Sequence, residues 1–334
     1  MTTKLLFYPG CSLQRTARPY LDSLVAISPL IGIELEEIQD WNCCGATEYI
    51  AIHHLASHAL VGRNLALAAQ QSNGTHTVMA ACSACYLNLA KTDSYMQVNA
   101  QLNRQVNDAL QAGGLHYQPG TVRIRHLLDI IVNDIGIEEI RKQVVRPLKG
   151  LRIAPYYGCM IARPDRDNRW DNVEHPLALD KLMKAIGAEV IDFPLKTHCC
   201  GGHMTQINMP TAYELIRRLV YGAAQYHADL MVTLCPMCQL NLDAYQSEMN
   251  RHFHTNYHMP ILYFTQLMGL AFGLEPEVLG LGKEFVNASQ ALSRIGIEVP
   301  AAEPELEMVE DKPARKKKEK AGLPMPQMLH SEEE

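Results

Sequence analysis

Short, mostly apolar runs punctuate the chain. "KLLFYPG" (4–10), "IELEEI" (33–38) and "HTVMAAC" (76–82) read as strands, and so do "LRIAPYYGC" (151–159), "AEVIDF" (188–193) and "DLMVTLC" (229–235). Between them lie longer stretches whose apolar residues recur at three and four. "YLDSLVAISPLIG" (20–32), "IHHLASHALVGRNLALAAQQS" (52–72), "PLALDKLMKAIG" (176–187) and "TAYELIRRLVYGAAQYH" (211–227) are therefore expected as helices. Strands alternating with helices predict an α/β fold with a small, mostly parallel sheet and flanking helices. The pattern runs through once and then starts again, so two such halves are expected.

The cysteines divide the same way. They stand at 11, 43, 44, 82 and 85, and again at 159, 199, 200, 235 and 238. Each set reads C, then CC followed by Gly, then CxxC, and no cysteine is left over. The surroundings match too: "LLFYPGCSLQRTARP" with "IAPYYGCMIARP", and "VMAACSACYLNLAK" with "MVTLCPMCQLNLDA". "VRIRHLLDIIVNDIGI" parallels "PILYFTQLMGLAFGL". Internal duplication is the economical reading. It places a first domain at 1–150, a seam at Pro147–Gly150 and a second domain at 151–300. Residues 92–121, rich in Asn and Gln, read as a polar, helical insert in the first half. From about 300 the chain turns charged, Pro-containing and poor in aromatics, so 301–334 is expected to be a disordered tail. Its "RKKKEK" cluster reads as a solvated segment or an electrostatic docking site.

Composition narrows the class. The 334 residues are 47% apolar, ample for a core, and the net charge of −6 gives no general electrostatic reason to bind nucleic acid. The start "MTTKLLFYPGCS" lacks a basic region followed by an apolar run. "ILYFTQLMGLAFGL" is too short to span a bilayer. A cytoplasmic protein without a direct membrane span is expected. In that compartment ten cysteines are better explained as metal ligands or catalytic thiols than as disulfides.

Five thiols per half fit zinc poorly, because structural zinc is satisfied by four ligands. Adjacent thiols on one ion would also strain their short loop. An iron–sulfur cluster offers several irons, so neighbouring cysteines can bind different ones, and soft thiolates suit it. Cys82 and Cys235 end predicted strands, and Cys11 and Cys159 follow others, so each set can converge beyond the carboxyl ends of a parallel sheet. Gly10, Gly45, Gly158 and Gly201 sit beside these cysteines. There they can take positive φ and let the backbone approach an inorganic core, or serve as ordinary turns.

The two C…CCG…CxxC sets, with "YPGC", "NCCG", "CxxCxLNL" and "ILYFTQLMGLAFGL", resemble the cysteine-rich CCG domain of the B subunit of CoB–CoM heterodisulfide reductase. The resemblance covers nearly all of residues 1–300. Related domains occur in glycolate oxidase iron–sulfur subunits, some succinate dehydrogenase or fumarate reductase subunits, and lactate-utilisation proteins. The resemblance implies two noncubane [4Fe-4S] clusters, one per half. Cys11, Cys43, Cys44, Cys82 and Cys85 would bind the first, and Cys159, Cys199, Cys200, Cys235 and Cys238 the second. It further implies a disulfide substrate between the clusters, each delivering one electron and capturing one thiolate. The expected activity is that of a disulfide oxidoreductase subunit working only within a complex. The partners implied are a ferredoxin-like subunit with cubane clusters and, serving it, a flavin-bearing subunit; this chain has no GxGxxG of its own. In sulfur-oxidising relatives the substrate is protein-bound or small-molecule sulfur and the assembly works oxidatively, so both directions stay open. The alternative is an electron-relay subunit of a 2-hydroxyacid or succinate dehydrogenase/quinone reductase complex. A zinc scaffold is a third reading.

Other residues carry weaker signals. His198 and His203 flank the second CCG and are candidate proton donors, or polar loop residues. The first copy has Asn42 and Ala46-Thr47 there, which would make the two sites unequal. Lys196 and Arg163 are candidates for holding an anionic group, or plain surface charges. His53, His54 and His58 lie on one predicted helix; His54 and His58 have metal-compatible spacing without an HExxH pattern, and read as helix-face residues.

Overall fold

Among the described residues, eight strands build two sheets, one from each half of the sequence. The structure is a computed structural model that describes residues 2–46, 49–73, 76–162 and 170–297. The expected tail (301–334) and Arg163 lie outside the described residues. The first sheet contains β1 (Thr3–Tyr8), β2 (Ile33–Glu37), β3 (Thr77–Ala80) and β4 (Arg123–His126) in the order β2-β1-β3-β4. The second contains β5 (Arg152–Tyr156), β6 (Glu189–Val190), β7 (Leu230–Thr233) and β8 (Ile261–Tyr263) in the order β6-β5-β7-β8. Every pairing is parallel. Strands of this kind are covered on both faces, which is why "LMVT" of β7 is apolar at three of its four positions and buried throughout.

β4 and β8 are absent from the periodicity reading. They are four and three residues long and run straight into helices, too short for an alternation to register. The expected insert at 92–121 is a lengthening instead. The helices Ser83–Val98 and Ala100–Gln111 correspond to the shorter Pro236–Ala244 and Gln246–Phe253.

The long helices follow their apolar stripes. In Met209–Gln225, residues Ala212, Ile216, Leu219, Val220 and Ala223 face the core, and the Asn208 side chain accepts from the Thr211 backbone N–H (3.1 Å) at the start.

The halves exchange their outer helices. Arg18–Ile27, which follows Cys11, packs on Phe264–Ala271 at the end of the second half. Ala178–Ala185, which follows Cys159, packs on Ile137–Gln143 at the end of the first. A buried hydroxyl pair, Ser23 and Thr265 at 2.7 Å, pins the first of these contacts. The described residues accordingly form one compact unit. None of their helices is long and apolar enough to cross a membrane.

The order 2-1-3-4 reverses direction between β1 and β3, and its repeat reverses between β5 and β7. Ligands of open parallel sheets bind beyond the strand ends at such a reversal. Cys11 and Cys82 follow β1 and β3; Cys159 and Cys235 follow β5 and β7.

Candidate metal centres

Each pentad is assembled by the same three loops. The first leaves β1 (or β5) through Gly10 (or Gly158) at φ +71° and +70°, and turns Cys11 (or Cys159) over the sheet end. The second carries the vicinal pair, with Gly45 and Gly201 at φ +62° and +99°. The third starts a helix at Cys82 (or Cys235) and places Cys85 (or Cys238) one turn in. Only glycine suits the first loop on two counts. A side chain at positive φ is strained, and a Cβ would stand 2.8 Å from Cys85 Sγ at Gly10 and 3.0 Å from Cys238 Sγ at Gly158. All four glycines take the positive φ expected of them, and Gly10 and Gly158 lie against cysteine sulfurs.

Four further residues fix the vicinal loops. The Tyr8 hydroxyl donates to the Asn42 carbonyl, and the Tyr156 hydroxyl to the His198 carbonyl, each at 2.7 Å. The Asn88 amide donates to the Cys44 carbonyl at 3.2 Å, and the Asn241 amide to the Gly202 carbonyl at 2.6 Å and the Cys200 carbonyl at 3.4 Å. Sequence reasoning noted the recurring "LNL" and "YPGC/YYGC" without giving Asn88, Asn241, Tyr8 or Tyr156 a role. Their recurrence at equal offsets from cysteines is the signal that could have found them.

Within each set the sulfurs form a chain. Cys11 meets Cys43 (3.5 Å), Cys44 meets Cys85 (3.5 Å), and the neighbouring contacts Cys43–Cys44 and Cys85–Cys82 complete the first set. In the second set Cys200 meets Cys238 (3.5 Å), with Cys159–Cys199, Cys199–Cys200 and Cys238–Cys235 in contact. Cys82 and Cys235 also act on each other's thiols, across the boundary between the two sets. All ten cysteines predicted as ligands are thus brought together, in the same order in both halves. Cys44, Cys82, Cys85, Cys200, Cys235 and Cys238 are buried, whereas Cys11, Cys43 and Cys199 reach the surface.

The electrostatics are those of a donor set built for cations. Cys43 is held down to about 2, first because Cys11 donates to it and then because Cys44 does. Cys235 is held low by the thiols of Cys238 and Cys82. Cys11, Cys44, Cys82, Cys85, Cys159, Cys200 and Cys238 are all pushed up, in each case first by a neighbouring cysteine sulfur and then by burial. Thiols so crowded ionise together only when metal charge compensates them. Backbone N–H groups also aim at sulfur: Gly201 at Cys199 (3.4 Å) and Gly202 at Cys200 (3.5 Å). Among the described residues, no three His, Cys, Asp or Glu side chains are placed around a point that would hold a single ion. Five thiols per half exceed the four ligands that satisfy one tetrahedral zinc, whereas a multi-iron group offers them separate irons.

Beside the first set lies a cavity of about 360 Å³. Its walls include all five first-half cysteines, Tyr49 and Ile52, and two residues of the other half, His203 and Met237. His203 is therefore at the site. His198 is exposed, and its carbonyl accepts from Tyr156 instead. Lys196 is not a surface charge. It is buried, donates to Asp180 (3.2 Å) and lies over the Tyr157 ring, and its carbonyl accepts from the backbone of Tyr157 and Gly158. It braces the loop before Cys159 and is not free to hold an anion. His54 and His58 approach within 3.3 Å through their Nε2 atoms on the helix His54–Gln71, and the Thr92 hydroxyl meets His58 Nδ1 at 2.9 Å. His53, just before that helix, accepts from the Ala56 backbone N–H at 3.2 Å. None of the three histidines lines the cavity beside the cysteines.

The CCG cysteine-rich domain matches residues 5–90 and 153–243, the two segments that carry the pentads. The chain belongs to this family. Among relatives of this CCG chain, the membrane anchor subunit of 8-methylmenaquinol:fumarate reductase from Wolinella succinogenes is 33% identical, over 87% of this chain and 99% of that one. The B subunit of ferredoxin:CoB–CoM heterodisulfide reductase from Methanosarcina mazei is 29% identical over 76% of this chain and 84% of that one. A protein from Archaeoglobus profundus, named for its likeness to the heterodisulfide reductase B subunit, is 27% identical over 80% and 90%. The fold is similar to the crystal structure of a hypothetical protein from Helicobacter pylori, with a TM-score of 0.66 at 15% identity over 85% of this chain; the CCG chain spans about half of that structure.

Proposed function

We propose that this chain is the iron–sulfur subunit of a heterodisulfide reductase-like complex, and that it carries thiol–disulfide redox chemistry between its two cysteine sets. In this reading residues 1–150 and 151–300 are two domains. Each holds one [4Fe-4S] cluster of the noncubane kind through its five cysteines. Such clusters supply single electrons and an iron that can accept a thiolate. The observation that carries the reading is a cavity that is lined by all five first-half cysteines and also by His203 and Met237 of the second half, with Cys82 near enough to Cys235 to act on its thiol.

The chemistry needs this pairing. Reducing a disulfide consumes two electrons and two protons and yields two thiols, while each cluster exchanges one electron at a time. Two adjoining sets let both electrons arrive without release of a thiyl radical. The cavity wall of Tyr49, Ile52 and Met237 suits an apolar thiol arm, and His203 stands where it can hand a proton to a departing thiolate. Electrons would be exchanged with a partner that carries cubane clusters and, beyond it, with a flavin-bearing partner, in the cytoplasm. The reverse direction, oxidation of a protein-bound or small-molecule thiol, uses the same arrangement.

A second reading is favoured by one observation. The Wolinella relative, matched over 99% of its length, belongs to a quinol:fumarate reductase. There the two sets would relay electrons without touching a disulfide.

Anaerobically prepared protein should contain about eight irons and about eight acid-labile sulfides per chain. Zinc alone, or absence of sulfide, overturns both readings. Electron paramagnetic resonance of the oxidised protein then separates them. A new signal on adding candidate thiols supports disulfide chemistry, and an unchanged spectrum with every thiol supports the relay.

A further inference from the structure

Where the two halves meet, the last strand of each sheet delivers a polar side chain to the same place. β4 ends at His126, opposite Ala80; β8 ends at Tyr263, opposite Thr233. Both are buried. The Tyr263 hydroxyl is used: it donates to Gln239 at 3.3 Å, and its ring stacks on Tyr20 with centroids 4.3 Å apart. His126 is different. Its Nδ1 accepts from the Leu128 backbone N–H at 3.1 Å, which leaves the ring proton on Nε2. That Nε2 has no hydrogen-bond partner among the described residues. The carbonyls of Ala81 and Leu234 are near but outside hydrogen-bonding geometry, and both already accept from the Tyr20 hydroxyl, at 2.9 and 3.5 Å. The ring is clamped between Trp170, parallel at 6.5 Å, and the edge of Tyr86 at 5.8 Å, so it does not swing away. The charged neighbours that act on it are Cys235, from the second half, and Asp129 on the helix that follows β4.

A buried donor left without an acceptor is costly and calls for a reason. We infer that His126 is a positioning residue of the first half that donates its Nε2–H to the sulfur-bearing group held at Cys235 in the second half. This rests on the iron–sulfur reading above. Hydrogen bonds to cluster sulfurs stabilise the more negative, reduced state and raise the reduction potential. Tyr263, with its hydroxyl spent on Gln239, offers no such free donor at the equivalent place. This side chain adds to the inequality of the two centres, and the centre at Cys235 is the easier to reduce.

The test is a redox titration, followed by electron paramagnetic resonance, of the anaerobically purified full chain in its complex. His126→Phe keeps an aromatic ring and removes the donor; His126→Gln keeps a donor. The signal that disappears in Cys159→Ser identifies the second centre. In His126→Phe that signal should shift toward the oxidised form by about tenfold at fixed potential, equivalent to about 59 mV for one electron. The other signal should stay within threefold, and iron content should be unchanged. His126→Gln should recover at least half of the shift. Equal movement of both signals, or no movement in the phenylalanine variant, overturns the role of His126 while leaving the clusters in place. A wild-type chain with no iron–sulfur signal would instead remove the reading on which the inference rests, and the inference with it.

Discussion

In the first half, the Asn88 amide on the helix after CxxC donates to the Cys44 carbonyl of the vicinal-cysteine loop. In the second, the equivalent Asn241 reaches the carbonyls of Cys200 and Gly202 and lies 3.8 Å from Cys200 Sγ. The first set opens on a cavity, and the second half supplies part of its wall through His203 and Met237. Two copies of one chassis thus differ among the described residues: the second half lends His203 and Met237 to the cavity beside the first set, and its asparagine makes more contacts with the vicinal-cysteine loop. An unsymmetrical substrate, or a one-way passage of electrons, needs such inequality between otherwise equal centres.

The largest expected effect comes from removing a thiol at the boundary between the two sets. Cys235→Ser should remove the second centre, cut iron per chain by about half and abolish turnover, while the first centre keeps its signal. Cys82→Ser should do the converse. Elemental analysis and electron paramagnetic resonance on both variants check this; full iron in either one would take that cysteine out of the donor set.

The repeat made most of this site readable. The order C, CC, CxxC fixed which thiols belong together, and the strand ends before Cys82 and Cys235 said where they meet. The short strands β4 and β8 escaped because three or four residues beside a helix carry no usable period. Their loss mattered, since His126 and Tyr263 close those strands. The pairing of Cys82 with Cys235 was equally out of reach, because it depends on how the halves exchange helices and no local pattern encodes that. Lys196 was misjudged for a similar reason: its partner Asp180 stands on a helix whose docking is a tertiary matter.

The glycine loops give the next effect. Gly10→Ala and Gly158→Ala each force an L-residue into the left-handed region, at about 1–2 kcal/mol. Each also drives a Cβ into a cysteine sulfur, closer at Gly10 (2.8 Å) than at Gly158 (3.0 Å). Both should lose iron, and Gly10→Ala should lose more. Equal iron content in the two variants would argue that the clash is relieved by movement of the sulfur.

A smaller step sharpens the contrast of the asparagines. Asn241→Ala strips a buried amide with several partners and should cost about 1–3 kcal/mol, whereas Asn88→Ala, which removes the contact to the Cys44 carbonyl, should cost about 1 kcal/mol. Urea midpoints of the two variants measure the difference, and the reverse order would mean that the extra contacts of Asn241 do not brace its loop.

The last contrast concerns buried charge away from the cysteines. In the first half Arg125 is buried but met by Asp129 at 2.7 Å and by Asp134. In the second half the buried Asp243 and the half-buried Glu284 have no cation beside them among the described residues. Burial pushes Asp243 up to about 6 and Glu284 up to about 7, and Asp243 adds to the rise at Glu284. One oxygen of Glu284 has no hydrogen-bond partner among the described residues, while the other accepts from Gly282 at 2.8 Å. A carboxyl raised in the folded state holds its proton where the unfolded chain has already released it. Its contribution is therefore complete below the ordinary carboxylate range and drains away as pH rises through about 7. The wild-type chain should lose on the order of 2 kcal/mol between pH 5 and pH 8 from this group, and Glu284→Gln, which cannot ionise, should flatten the profile by that amount. Urea unfolding of both proteins at the two pH values decides it. Parallel profiles would mean that Glu284 keeps its charge exposed to water, and that the second half tolerates ions as readily as the first.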